Sequence, residues 1–383
     1  MANYLVTGAA GFIGAEVARQ LLAAGHRVTG VDNLNNYYAV ALKLHRLETL
    51  KKAAADAVTL PPETGKTPPA AAPATPSAAD ASPPPATPTP PPPPPAPAPA
   101  PAFRFLLGSV EDRTFVEDIF ASSPPFDAVF HLAARAGVRH SIEDPCAYMA
   151  TNALGALNVL EVMRRRSVQK FVLASTSSLY AGLPAPFAET LPVNTPRSPY
   201  AASKKAAEAA AFAAHHLHGT DVTVVRYFTV FGPAGRPDMA VFRLIEAVAR
   251  GTPVEIYGDG SQSRDFTFVA DIARGTIAAA RPLGYEIVNL GAGATPLTLN
   301  SVIAAIEERL GRAAVRVARP FHKADMANTA ADISKAARLL DWRPLTPFAD
   351  GLDATIAWHR EHRDLLDTIA AATAGGTAGG NRT

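Results

Sequence analysis

Cysteine is almost missing from this chain of 383 residues, which holds only Cys146. That excludes a disulfide framework and a cysteine-built metal site, and a reducing, cytoplasmic location is expected. An excess of one charge is missing too. With 36 Lys and Arg against 34 Asp and Glu, the formal net charge is +2, which argues for neither a nucleic-acid partner nor a membrane surface. No uncharged apolar run reaches the ~20 residues of a membrane span. Tyr4-Leu5-Val6 opens a strand so close to Met1 that no signal peptide is expected before it. His-x-x-x-His pairs are absent. His215, His216 and His218 gather at an alanine-rich helix end without acidic or cysteine partners, so they read as exposed terminal groups and no metal is expected.

What is present reads as an α/β chain long enough for two lobes, with 48% apolar and 18% charged residues. The pattern predicts a strand over 4–7, a glycine turn, a helix over 12–24 and a strand over 27–32, which make a βαβ unit. Strand-like runs recur at 103–107, 128–132, 171–175 and 222–227 with helical patterns between them, the alternation of a doubly wound parallel sheet. A strand over 286–290 and helices over 299–310, 333–340 and 351–359 read as a smaller C-terminal lobe after the sheet is complete. The expected organisation is a Rossmann-type domain over 1–225, a substrate lobe over 226–369 and a loose tail over 370–383. Residues 53–102 interrupt it. Of the 35 prolines, 19 fall there, mixed with Ala and Thr, a composition that offers little to bury and is expected to be disordered or polyproline II. The segment reads as a tolerated surface insertion, with a docking site for an SH3-like partner as the alternative.

Gly8, Gly11 and Gly14 directly follow a strand and open a helix that starts with Phe12 and Ile13, the context in which this spacing binds a dinucleotide. Gly8 permits the turn, Gly11 clears a Cβ from the path of a pyrophosphate, and Gly14 lets helix and strand close up. The phosphates then meet the helix N-terminus. Asp32 ends the second strand 18 residues after Gly14. A carboxylate there accepts both adenosine ribose hydroxyls and repels a 2′-phosphate, so NAD is expected rather than NADP. Leu132, Ala133 and Ala134 follow another strand and let a cofactor lie against backbone. Thr176, Ser177 and Ser178 also end a strand, at the sheet edge where ligands bind; a helix cap is the plainer reading of this hydroxyl row. Tyr200 and Lys204 stand four apart and share a helix face. A free phenol titrates near ~10, and a neighbouring ammonium with a positive nicotinamide ring would lower that value enough for Tyr200 to act as general base on a sugar hydroxyl.

Several stretches carry a resemblance: Thr7-Gly8-Ala9-Ala10-Gly11-Phe12-Ile13-Gly14, Ser198-Pro199-Tyr200-Ala201-Ala202-Ser203-Lys204, Phe228-Thr229-Val230-Phe231-Gly232-Pro233, Gly235-Arg236-Pro237-Asp238-Met239 and Arg264-Asp265-Phe266-Thr267. On these the chain resembles an extended short-chain dehydrogenase/reductase of the sugar-nucleotide epimerase/dehydratase group, and within it the UDP-glucuronate 4-epimerases. The resemblance implies Thr176, Tyr200 and Lys204 as the catalytic set, NAD retained through the cycle, a UDP-sugar as substrate, and a homodimer packed through the Tyr/Lys helix. It places Arg264 on the UDP diphosphate, Arg139 facing the substrate and Val110 at the adenine. Ser109 departs from the Asp the family often has before that apolar residue.

A uronate makes a further demand. Once C4 is a ketone, the C5 carboxylate is β to it and can leave as CO2, so an epimerase must hold that group out of line. Thr229 and Arg236, with Ser177 and Ser178, are the candidate clamp. A decarboxylase of the group usually carries Glu where Ser178 stands, and a 4,6-dehydratase Asp-Glu where Ser177-Ser178 stand. A neutral UDP-glucose/UDP-galactose 4-epimerase, which usually has Asn at the position of Thr229, remains the nearest alternative. A non-catalytic NAD-binding scaffold is the alternative of a different class.

Overall fold

The computed structural model describes residues 1–59, 101–320 and 326–376. Its first half alternates strands and helices: β1 (Asn3–Thr7), α1 (Phe12–Ala23), β2 (Arg27–Asp32), α2 (Val40–Thr59), β3 (Phe103–Leu107), α3 (Arg113–Ala121), β4 (Ala128–His131), β5 (Lys170–Thr176) and β6 (Asp221–Tyr227). They form a seven-stranded sheet, completed by the strand Tyr285–Leu290, in the order Tyr285–Leu290, β6, β5, β4, β1, β2, β3. Every pairing in it is parallel.

Period-2 alternation sends successive side chains to opposite faces. Val6, Phe130, Val172, Val225 and Val288 pack under α1 and the helix Val269–Ala278. Leu5, Val129, Phe171 and Val224 pack under α3 and the helices Gly155–Arg165 and Pro199–His218. Both faces are covered, which is why the strands read as apolar runs. Strand order reverses at β1, with β4 on one side and β2 on the other, so a crevice opens at their carboxyl ends. A separate core of Val241, Leu244, Ile245, Val302, Ile303 and Ile356 builds the smaller lobe.

Three expectations need correction. The strand Tyr285–Leu290 does not belong to the lobe: it returns to the edge of the main sheet beside β6, where Val288 and Leu290 join the core on one face and Ile287 packs against the core on the other. The chain therefore leaves the Rossmann layer after β6 and comes back to it at Tyr285–Leu290, within its last third. Residues 53–59 continue α2, since alanine is the strongest helix former and no proline intervenes before Pro61. The proline-rich remainder, 60–100, lies outside the described residues. In the expected tail, a helix Arg363–Gly376 runs past residue 370, and 377–383 are not described.

Candidate active site

The glycine turn has no room for side chains. Gly8 has φ +75°, and a Cβ there would stand 2.7 Å from the Ala133 nitrogen. A Cβ on Gly14 would stand 2.1 Å from the Gly8 carbonyl oxygen. The β1 and β4 ends are thus pulled together with the N-terminus of α1 facing the crevice, a cradle that fits a dinucleotide's phosphates. Asp32 closes the other side. Its Oδ1 accepts from the Leu34 backbone at 2.8 Å, and Lys43 Nζ sits 3.5 Å from it. One cavity of about 390 Å³ gathers Gly8, Gly11, Phe12, Ile13, Gly14, Asp32, Val110, Leu132, Ala133 and Ala134. These residues fit NAD.

The same cavity continues to Thr176, Ser177, Ser178, Tyr200, Lys204, Thr229 and Arg236. Thr176 ends β5, and its hydroxyl accepts from the Ser178 backbone at 3.1 Å, so the plainer reading of the hydroxyl row as a cap holds without removing it from the site. Tyr200 lies in the first turn of Pro199–His218, which starts on a Ser198 cap with proline behind it. Four residues on, Lys204 Nζ donates to the Ala174 carbonyl at 2.9 Å. Burial raises the Tyr200 phenol above its usual pKa, with the Thr176 hydrogen bond and the Arg236 charge acting against it. The Lys204 ammonium is turned to a strand carbonyl. Lys204 itself is pushed down to about 8 by burial, with Glu208 pulling it back up.

Below these residues a buried ion pair ties the helix to the sheet. Arg226 of β6 gives Nε and Nη2 to Glu208 at 2.9 and 2.8 Å, and both side chains are 1% exposed. Glu208 also accepts from Ser175 at 2.6 Å. Asn152, in a widened helical turn over Met149–Leu154, donates to Ser203 Oγ at 2.8 Å and so braces the residue next to Lys204.

Arg236 is already engaged. Asp238 takes its Nε at 3.0 Å and its Nη2 at 2.5 Å. Its guanidinium lies 5.4 Å from the Tyr37 ring centre and 5.9 Å from that of Tyr38. Tyr37 in turn donates to the Ala136 carbonyl. Arg139 and Arg264 are not in this cavity. They line a neighbouring one of about 420 Å³ with Arg243, Tyr257 and Gln262, where the Arg139 guanidinium rests 4.0 Å from the Tyr257 ring centre. Val138 and Arg236 wall the first cavity, Arg139 and Pro237 the second, so adjacent residues separate the two.

The sequence pattern of the NAD dependent epimerase/dehydratase family matches residues 4–291. The chain belongs to that family. Over 369 residues it is 45% identical to a UDP-glucuronate 4-epimerase of Thermodesulfobacterium geofontis (strain OPF15), covering 96% of this chain and 99% of the relative. Its fold matches a solved UDP-glucuronic acid 4-epimerase from Bacillus cereus in complex with UDP-glucuronic acid and NAD, with TM-score 0.75 and 29% identity over 94% of this chain and 99% of that one. A UDP-glucose 4-epimerase from Thermotoga maritima, solved with UDP-glucose, gives TM-score 0.76 at 28% identity over the same 94% and 99%. Backbone likeness does not separate acidic from neutral sugars in this family, so the side chains around the sugar must.

Several of those side chains escaped the sequence reading. Lys43, Tyr37 and Tyr38 line the first cavity from the segment after Asp32, where polar and aromatic residues carry no spacing signal. Asp238 stood in a quoted motif, but nothing in the sequence pairs it with Arg236.

Proposed function

We propose that this chain inverts C4 of UDP-glucuronate to give UDP-galacturonate, holding NAD in the glycine-lined crevice. The observation that carries the reading is that Thr229 and Arg236 share a cavity with Thr176, Tyr200 and Lys204. When bound along Gly8, Gly11, Gly14 and Asp32, NAD would supply reversible hydride acceptance at C4 and a positive ring beside the Tyr200 phenol. Tyr200 takes the 4-hydroxyl proton and later gives it back, with the Thr176 hydroxyl shared between them. Lys204 presents an ammonium below pH 8 or so. Arg139 and Arg264 bring two guanidiniums to the second cavity, where a diphosphate fits.

The Arg236 guanidinium meets the uronate carboxylate through Nη1, the amino group that Asp238 leaves. Asp238 keeps the guanidinium plane fixed, so the carboxylate is gripped in one orientation, away from overlap with the C4 carbonyl. A neutral sugar needs no such cation. Incubating the purified protein with UDP-glucuronate and no added cofactor, and resolving products by NMR, is expected to yield UDP-galacturonate alone. Conversion of UDP-glucose to UDP-galactose with no reaction on the uronate would overturn the clamp and favour the neutral-sugar reading.

We also infer a homodimer and a cytoplasmic location. Leu154, Leu157 and Phe212 stand exposed on the neighbouring segments Met149–Leu154, Gly155–Arg165 and Pro199–His218, which pack together, and a second copy would cover them. Light scattering is expected to give twice the 40.1 kDa of one chain, falling to a single mass on Leu157→Glu with Phe212→Glu. A monomeric wild type would sink this assembly. The free, exposed Cys146 accords with a reducing compartment, and no described helix is long and apolar enough to cross a membrane.

A further inference from the structure

We propose that Arg46 is the positioning residue of the carboxylate clamp: it ties the loop that carries Arg236 to the glycine turn, and so sets whether a 4-keto uronate is reduced or loses its carboxyl group. The inference rests on the uronate reading above.

Arg46 lies on α2 and is 4% exposed, yet it forms no ion pair among the described residues. A buried guanidinium without an anion is costly to keep and needs its donors filled by fixed acceptors. The acceptors here belong to two separate parts of the site. Nη1 donates to the Ala10 carbonyl in the glycine turn at 3.0 Å and to the Tyr38 hydroxyl at 2.7 Å. Nε and Nη2 donate to the Ala234 carbonyl at 3.0 and 2.7 Å, and Nη2 reaches the Gly235 carbonyl at 3.3 Å. Those two carbonyls directly precede Arg236.

The loop needs such a tie. Ala234 has φ +51°, a left-handed conformation that a residue with a Cβ holds only when its surroundings impose it. The Tyr38 ring adds a second link, since the guanidinium carbons of Arg46 and Arg236 lie 5.4 and 5.9 Å from its centre. Arg46 therefore fixes the clamp relative to the cofactor turn without facing the sugar itself. A shift of the clamp by a fraction of an ångström matters because the competing reaction depends on alignment. If the C5–C6 bond lies along the carbonyl π system, it breaks, CO2 leaves with C6, C5 takes a proton from solvent, and a UDP-4-keto-pentose remains with the redox cofactor left reduced.

The test is a double-mutant cycle on the NAD-loaded protein: Arg46→Met, Arg236→Ala and both together, with Arg46→Lys as the milder change. KM for UDP-glucuronate, the share of decarboxylated product by NMR, and NAD content after denaturation are read for each. Since a misplacement of ~1 Å can cost up to about 100-fold, Arg46→Met is expected to raise KM about tenfold and to increase the pentose share, with NAD content retained. In the Arg236→Ala background the same change should add nothing further, because both act through one group. Arg46→Lys, which can still reach a loop carbonyl, should restore part of the loss, and it alone decides the question if Arg46→Met does not fold. Unchanged KM and product ratio in the lysine and methionine variants would overturn the inference, as would effects that add fully to those of Arg236→Ala or that follow NAD loss alone. A wild type inert on UDP-glucuronate would instead overturn the uronate reading, and this inference with it.

Discussion

Tyr200→Phe is expected to lower kcat by about 10³-fold while NAD content and substrate binding stay within about twofold of wild type, the range for removing a single general acid–base. The phenylalanine keeps the ring, which packs edge-on to Tyr148 with centres 6.2 Å apart, so the helix start and the crevice are preserved. Only the hydroxyl is lost, and with it the group that moves the 4-hydroxyl proton. No other titratable side chain is placed to take over this proton: Lys204 faces the Ala174 carbonyl, and Thr176 has no titratable proton in this range. Product formation by NMR, NAD measured after denaturation and calorimetric titration with UDP-glucuronate separate the three effects. A loss below about tenfold would move the proton transfer to another group and remove Tyr200 from its proposed role.

The second large effect is one of stability. Arg226→Met is expected to cost about 3–5 kcal/mol, because it leaves the Glu208 carboxylate buried without its partner. That corresponds to a melting temperature lower by about 5 °C. Combining it with Glu208→Gln removes the stranded charge and should restore most of the loss, since a buried ion pair itself adds little over a neutral pair of similar shape. Thermal unfolding of the NAD-loaded single and double variants reads this directly, and a double variant as unstable as Arg226→Met would show that the charge is not the cause. Glu208→Gln carries a signature in pH as well. Glu208 raises the Lys204 pKa against the burial that pushes it down to about 8. Without the carboxylate, Lys204 loses its proton at lower pH, so the alkaline limb of the activity profile should move to lower pH.

The elements that were legible in the sequence are those whose signals are local. The helix Leu299–Leu310 follows the expected bounds because its apolar residues recur at helical spacing between a Thr298 cap and Gly311. Strands β1 and β2 with the glycine turn were legible because glycine spacing constrains only a few consecutive backbone angles. The strand Tyr285–Leu290 was recognisable as a strand, but its destination was not. An apolar strand buries equally well in a lobe or at a sheet edge, and only the pairing with β6 settles which. The alanine run Ala53-Ala54-Ala55 continued α2 through residue 59 despite the proline-rich composition that follows, a local propensity outvoted by the average over a longer window.

At the site the same division holds, at finer scale. The sequence by itself determined the cofactor turn, Asp32 at the end of β2 and the shared helix face of Tyr200 and Lys204, because each needs only one or two adjacent elements. The tertiary structure decided the surroundings and the supports: Tyr200 is buried, Lys204 faces a strand carbonyl, Asp238 holds the fork of Arg236, Arg139 and Arg264 turn to a second cavity, and Arg46 ties a loop 188 residues away. Desolvation and hydrogen bonds act over a few ångströms of space, and which distant segments come within that reach is written in no stretch of chain short enough to show a pattern.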